Sequence, residues 1–145
     1  MSIIELEITS DIYNCTLQFE RRLSVIKGDS GVGKSTLAEL VSQELIGVSV
    51  KSTYPIVVVT EQTWQTVVKG EQDKILLFDD LDVVKTAMFA TMYAEYGVKN
   101  NLFFIIIARE SLESVKELYS VYDMKKDRTY HWLVSTTPVN SCVVF

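Results

Sequence analysis

Seven consecutive apolar residues, Leu102 to Ala108 (LFFIIIA), constrain the fold of this chain more than any other feature. A strand with one face in water alternates apolar and polar side chains. A strand covered on both faces has no reason to alternate, and its sequence becomes an unbroken apolar run. Seven residues make a good strand and fall far short of the roughly 20 that a membrane-spanning helix needs. Ile75 to Phe78 (ILLF) is a second, shorter run of the same kind. Such runs, separated by stretches of helical periodicity, predict an α/β fold: a three-layer sandwich with a mostly parallel sheet and helices on both faces.

The helices are legible from their spacing. Leu37, Leu40, Val41 and Leu45 recur at helical intervals between Lys34 and Ile46, and Gly47 is placed to end that helix. A shorter helix over Thr63 to Lys69 would bury Trp64, Val67 and Val68. Val84, Met88, Met92 and Tyr96 step by four along a third, which Gly97 ends. A fourth is predicted around Ser111 to Tyr119. Leu23 to Lys27 (LSVIK) reads as a strand, and Val48–Val50 and Ile56–Thr60 are β-rich on either side of Pro55. At the start, Ile4, Leu6 and Ile8 alternate with Glu5 and Glu7, and Leu17 and Phe19 with Gln18 and Glu20. These form an antiparallel pair, at an edge of the sheet or as a small subdomain. Near the end, Tyr122–Met124 and Tyr130–Val134 are placed to pair across KKDR.

With 145 residues and no linker or repeat, the expectation is one minimal domain over 1–145. The two cysteines, Cys15 and Cys142, make no CxxC and no disulfide framework. A single histidine, His131, argues against a histidine-built metal site. A net charge of −5 makes direct nucleic-acid binding unfavourable. The opening MSIIELEITSD lacks the basic and apolar stretches of a secretory leader. The expectation is a cytoplasmic protein with no membrane attachment and reduced thiols.

Three of the six glycines fall within six residues, in the octapeptide GDSGVGKS, Gly28 to Ser35. The pattern is GxxxxGK[ST], between the strand LSVIK and the helix that begins near Lys34. Each residue type has a physical reason. Gly28 and Gly33 allow backbone with positive φ and a close wrap around a phosphate. Successive N–H groups of Gly28, Asp29, Ser30, Gly31, Val32 and Gly33 then face inward as an anion nest, and the helix beginning at Lys34, Ser35 and Thr36 adds its dipole. Lys34 would bridge the β- and γ-phosphates, and the Ser35 hydroxyl would hold Mg²⁺.

A site of this kind needs a carboxylate at the end of a buried strand to hold the metal through water. ILLFDDLD, Ile75 to Asp82, supplies it, with Asp79 as the metal residue. Asp82 reads as the N-cap of the following helix. The run LFFIIIA ends in Arg109, Glu110 and Ser111, and ligands lie at the carboxyl ends of parallel strands. Arg109 has two readings of equal weight: contact with a γ-phosphate or partner, and a surface ion pair. Arg21, Arg22 and Arg128 read as surface or hairpin residues, and His131 and Trp132 as packing.

The paired motifs resemble those of the P-loop NTPase superfamily over roughly Leu23 to Ser111. Small GTPases share the octapeptide, but the chain has no DxxG, and Met124-Lys125-Lys126-Asp127 fails the guanine-reading [NT]KxD at its first residue. The opening is similar to that of ABC and SMC-type ATPases, without a later LSGGQ. FDDLD is similar to the acidic motif of AAA-like and KAP-type ATPases, without length for their lid. The overall resemblance is to small P-loop proteins of bacteria, phages and mobile elements. It implies binding of ATP or another NTP with Mg²⁺. Lys34, Asp80 and Arg109 stand as catalytic candidates: Asp80 occupies the place where many such ATPases carry a water-polarising Glu, and an aspartate is a shorter base.

Two functions compete at this stage. One is an Mg²⁺-dependent ATPase, slow unless self-association or a protein partner supplies an arginine worth about 10³–10⁵ in rate. The other is a non-catalytic, nucleotide-stabilised interaction protein of phage type. Its carboxylates would occupy a host nucleic-acid machine, such as a CRISPR complex, where DNA phosphates sit. A phosphate-release assay with Lys34→Ala separates the two.

Overall fold

The computed structural model describes residues 4–9, 13–27, 48–108, 119–126, 130–134 and 140–144, with side chains over 4–9, 16–26 and 48–108. The strands within these residues are β1 (Ile4–Thr9), β2 (Tyr13–Phe19), β3 (Leu23–Lys27), β4 (Ser49–Ser52), β5 (Ile56–Val59), β6 (Lys74–Asp79), β7 (Leu102–Ala108), β8 (Tyr119–Lys126), β9 (Tyr130–Val134) and β10 (Asn140–Val144). They join in the order β4-β1-β2-β10-β9-β8-β3-β7-β6-β5. Strands β8, β3, β7, β6 and β5 run parallel to one another. The neighbours from β8 outward to β4 pair antiparallel. The architecture is therefore α/β, with a parallel half and an antiparallel half.

The apolar run behaves as its composition requires, since every residue of β7 is buried. Its odd-numbered side chains, Phe103, Ile105 and Ile107, join Ile26, Ile75 and Leu77 on one face. The inner residues of the antiparallel half, Ile4, Leu6, Ile8, Leu17 and Phe19, belong to the same cluster. The even-numbered ones, Leu102, Phe104, Ile106 and Ala108, join Leu23, Val25, Leu76 and Phe78 on the other face. There they meet Trp64 and Val68 of helix α1 (Trp64–Gly70) and Phe89 and Met92 of helix α2 (Ala87–Tyr96). So the described helices cover one face, and antiparallel strands pack against the other. The expected helix over Lys34–Ile46 and most of that over Ser111–Tyr119 lie outside the described residues; Tyr119 itself opens β8.

An aromatic cluster fixes the helical face. Phe78 lies 5.3 Å from Phe89, 5.9 Å from Phe104 and 6.4 Å from Trp64 between ring centroids. Edge-to-face and offset pairs of this kind contribute about 0.5–1.5 kcal/mol each beyond their buried area.

Several expectations need correction. The N-terminal pair is antiparallel as expected but lies inside the sheet, with β4 outside β1 and β10 beside β2. The four-step stripe does not define the third helix. Val84 belongs to a separate 3₁₀ turn (Asp82–Lys85), Met88 is exposed, and Phe89 with Met92 forms the buried face. Asp82 is not the helix cap. It opens the 3₁₀ turn, and the Thr86 hydroxyl accepts from the Phe89 N–H instead. Gly97 ends α2 as expected, though with right-handed backbone; a Cβ there would stand 2.6 Å from the Tyr93 carbonyl oxygen. Strand β10 has no counterpart among the expected elements. The β8–β9 pairing across KKDR is as expected, with Met124 opposite Leu133.

Arg22 is not a surface residue. Its guanidinium is half-buried over the Phe103 ring at 4.6 Å. It donates to the Leu102 carbonyl at 3.0 Å, Asn101 Oδ1 at 3.2 Å and the Gly97 carbonyl at 3.3 Å. Asn101 in turn donates to Asp73 at 2.8 Å, and the buried Asn100 amide donates to the Val68 carbonyl at 3.0 Å. These contacts lock the amino ends of β3, β6 and β7 together.

Candidate functional site

The parallel register sets the carboxyl ends of the strands side by side. Lys27 of β3 lies opposite Ala108 of β7, Ile107 opposite Asp79 of β6, and Phe78 opposite Val59 of β5. The order across the sheet is thus Lys27, Ala108, Asp79. Adjacent strands are about 4.8 Å apart, so the Lys27 and Asp79 backbones are separated by about 10 Å. Lys27 is bonded to Gly28, and Ala108 to Arg109. On the far side of β3, Asp123 of β8 lies opposite Lys27.

Chain direction also turns at β3. From β3 the chain passes through β4, beside β1 at the antiparallel edge, before it reaches the outer parallel strand β5; it then steps back through β6 and β7 and passes β3 to reach β8. Ligands of open α/β sheets sit outside the carboxyl ends where the strand order reverses.

Asp79 is half-buried and, by alternation, shares the face of Ile75 and Leu77. Asp80 is exposed and has positive φ, +52°. Its N–H donates to the Ile107 carbonyl at 2.9 Å, so the β6–β7 ladder continues one residue past β6. Only short side chains such as Asp and Asn enter this left-handed region readily among residues with a Cβ. Asp73 (+55°) and Asn101 (+49°) share the conformation, but they sit in the turns at the opposite end of the sheet. Asp82 is 95% exposed and pairs with Lys85 at 3.7 Å, a contact of little energetic weight.

Beside Asp79, beyond the end of β5, Thr60 and Thr63 bond reciprocally. Thr60 N–H donates to Thr63 Oγ1 at 2.9 Å, and Thr63 N–H to Thr60 Oγ1 at 3.2 Å. The pair closes the turn that leads into α1, whose N-cap residue, Thr63, makes no side-chain cap bond of its own.

Gly28 to Thr36, with Lys34 and Ser35, lie outside the described residues, as does Arg109. Among the described residues no three His, Cys, Asp or Glu side chains gather into a metal-holding group. Mg²⁺ does not require one. It is ordinarily held by one or two carboxylates together with substrate phosphates and water, a donor set to which a single strand-end carboxylate such as Asp79 is suited. Among the described residues no helix is long and apolar enough to cross a membrane.

No protein-family model matches the chain, and no curated protein matches it.

Proposed function

We propose that the chain is a P-loop protein that binds ATP with Mg²⁺ and hydrolyses it. One adjacency carries the reading. Strand β3 hands the chain at Lys27 directly to GDSGVGKS, and β6 ends in Asp79 two strand positions away, at the same end of the sheet. The strand that leads into the phosphate-cradling sequence and the strand that carries the carboxylate thus end side by side, with the Lys27 and Asp79 backbones about 10 Å apart.

In this reading the backbone N–H groups of Gly28 to Ser35 bind the phosphates and Lys34 neutralises the β- and γ-phosphate charge. Thr36 continues the first helical turn. Ser35 and Asp79 would hold Mg²⁺, which when bound draws charge from the phosphate oxygens. Asp80 orients the attacking water. Arg109 follows the strand that lies between the two motifs, and it meets the γ-phosphate. The failed guanine motif favours ATP over GTP. The helix expected over Lys34–Ile46 would supply the further layer of a three-layer sandwich. Self-association or a protein partner supplies any further arginine.

The test is a thermal-shift titration with ATP, ADP, GTP and GDP, with and without Mg²⁺, followed by a phosphate-release assay. A ligand at 100 times its Kd stabilises the native state by about 2.7 kcal/mol. ATP with Mg²⁺ should raise the midpoint and be hydrolysed, and Lys34→Ala should abolish both. A midpoint that no nucleotide moves refutes the reading. Binding without turnover selects the non-catalytic interaction protein instead.

A further inference from the structure

The chain has two cysteines, 127 positions apart by number (142 − 15), and neither belongs to a local motif. The sheet brings them to one register position. Strand β10 lies antiparallel beside β2, and Cys142 is the direct cross-strand partner of Cys15. Directly opposed residues in an antiparallel pair have Cα atoms about 4.5–5.5 Å apart and share one face of the sheet. A disulfide needs a Cα separation of about 4.4–6.8 Å. The backbone placement meets that requirement without movement of either strand.

We propose that Cys15 and Cys142 form a redox site: a dithiol that a low-molecular-weight disulfide oxidises to an intramolecular cross-link between β2 and β10. In the first step a thiolate attacks the small disulfide, forming a mixed disulfide and releasing one small thiol. The second cysteine, as thiolate, then attacks the protein sulfur of that mixed disulfide and releases the other. Two protein thiols and one small disulfide become one protein disulfide and two small thiols. The closed loop would enclose GDSGVGKS, Asp79 and every parallel strand. Long loops gain most from such closure, because the cross-link removes the most freedom from the unfolded chain. The site is independent of nucleotide chemistry.

The experiment uses the full chain, incubated with glutathione disulfide or with dithiothreitol, then alkylated and digested without reduction. The expected product is monomeric, lighter by two hydrogens, inert to alkylation, and yields one peptide joining Cys15 to Cys142. Its unfolding midpoint should exceed that of the reduced chain by about 10 °C. Cys15→Ser and Cys142→Ser should each remove the shift. The mass map of the unmutated chain stands whether or not those variants fold. Stable glutathione adducts on both cysteines, disulfide-linked dimers, or a cross-link that forms only in denaturant would each overturn the proposal.

Discussion

Replacing Arg22 with alanine should cost about 2–3 kcal/mol, although its sequence context reads as surface. The magnitude follows from its contacts. The bond to the Leu102 carbonyl at 3.0 Å is short, and a hydrogen bond from a charged donor contributes about 1.5–3 kcal/mol. The contacts at 3.2 and 3.3 Å add less, and the Gly97 carbonyl keeps the Leu102 N–H at 2.8 Å when the guanidinium is gone. The stacking on Phe103 adds about 0.5–1 kcal/mol. Partial exposure argues for the lower end of each range. Urea unfolding of the wild type, Arg22→Ala and Arg22→Lys measures the loss. Lysine retains the charge but not the planar group over Phe103, so it should fall between the other two. A second readout is Tyr93, whose pKa burial raises above 10.0 while Arg22 and Arg21 pull it down. Because the folded value lies above the unfolded one, the protonated form's contribution is complete below pH 10. It is lost as pH rises from there through the folded value. Arg22→Ala should move tyrosinate absorbance to still higher pH. An alanine variant within about 0.5 kcal/mol of wild type would show an ordinary surface residue and refute the clamp.

Asp80→Gly should leave the unfolding midpoint unchanged or slightly higher, because glycine takes positive φ without penalty, yet lower phosphate release; Asp80→Ala should lower both. Thermal unfolding beside a phosphate-release assay checks the pair, and full activity in the glycine variant would remove Asp80 from the chemistry. Phe78→Ala should cost about 3–5 kcal/mol, since a fully buried ring among Trp64, Phe89 and Phe104 leaves a cavity that three other rings cannot close. The urea midpoint reports it, and a loss under about 1 kcal/mol would contradict the packing described.

The strands were more legible than the helices, and the reason is physical. LFFIIIA and ILLF are apolar on both faces because both faces are covered, and that requirement is written residue by residue. The stripe Val84, Met88, Met92 and Tyr96 misplaces the start of α2, because Val84 and Met88 fit a helical period while the chain breaks at Thr86. There a side-chain cap starts α2 afresh and turns Phe89 inward. Periodicity reports spacing but not where a helix begins. Strand β10 and the Cys15–Cys142 register were invisible, because pairing across most of the chain's length leaves no local pattern. Arg22 was missed for a related reason: its partners, Gly97, Asn101 and Leu102, are distant in sequence. At the candidate site Asp79 was legible as a strand-end carboxylate. The left-handed backbone of Asp80 was not, since aspartate is equally at home in ordinary turns.

The position of β7 gives the site its logic. Had β3 and β6 been neighbours, Lys27 and Asp79 would be one strand spacing apart, about 4.8 Å, with little room for a phosphate between the two motifs. With β7 between them the gap doubles, and the middle strand end leads to Arg109. The Asp80 N–H bond to the Ile107 carbonyl ties the acidic strand to the strand bearing Arg109, so displacement of one would be felt by the other. The opposite ends of these strands are held by Arg22, Asn101 and Asp73. The five residues of β3 put about 16 Å between that clamp and Lys27. Loss of the clamp should therefore lower stability while leaving nucleotide affinity, measured well below the melting range, unchanged.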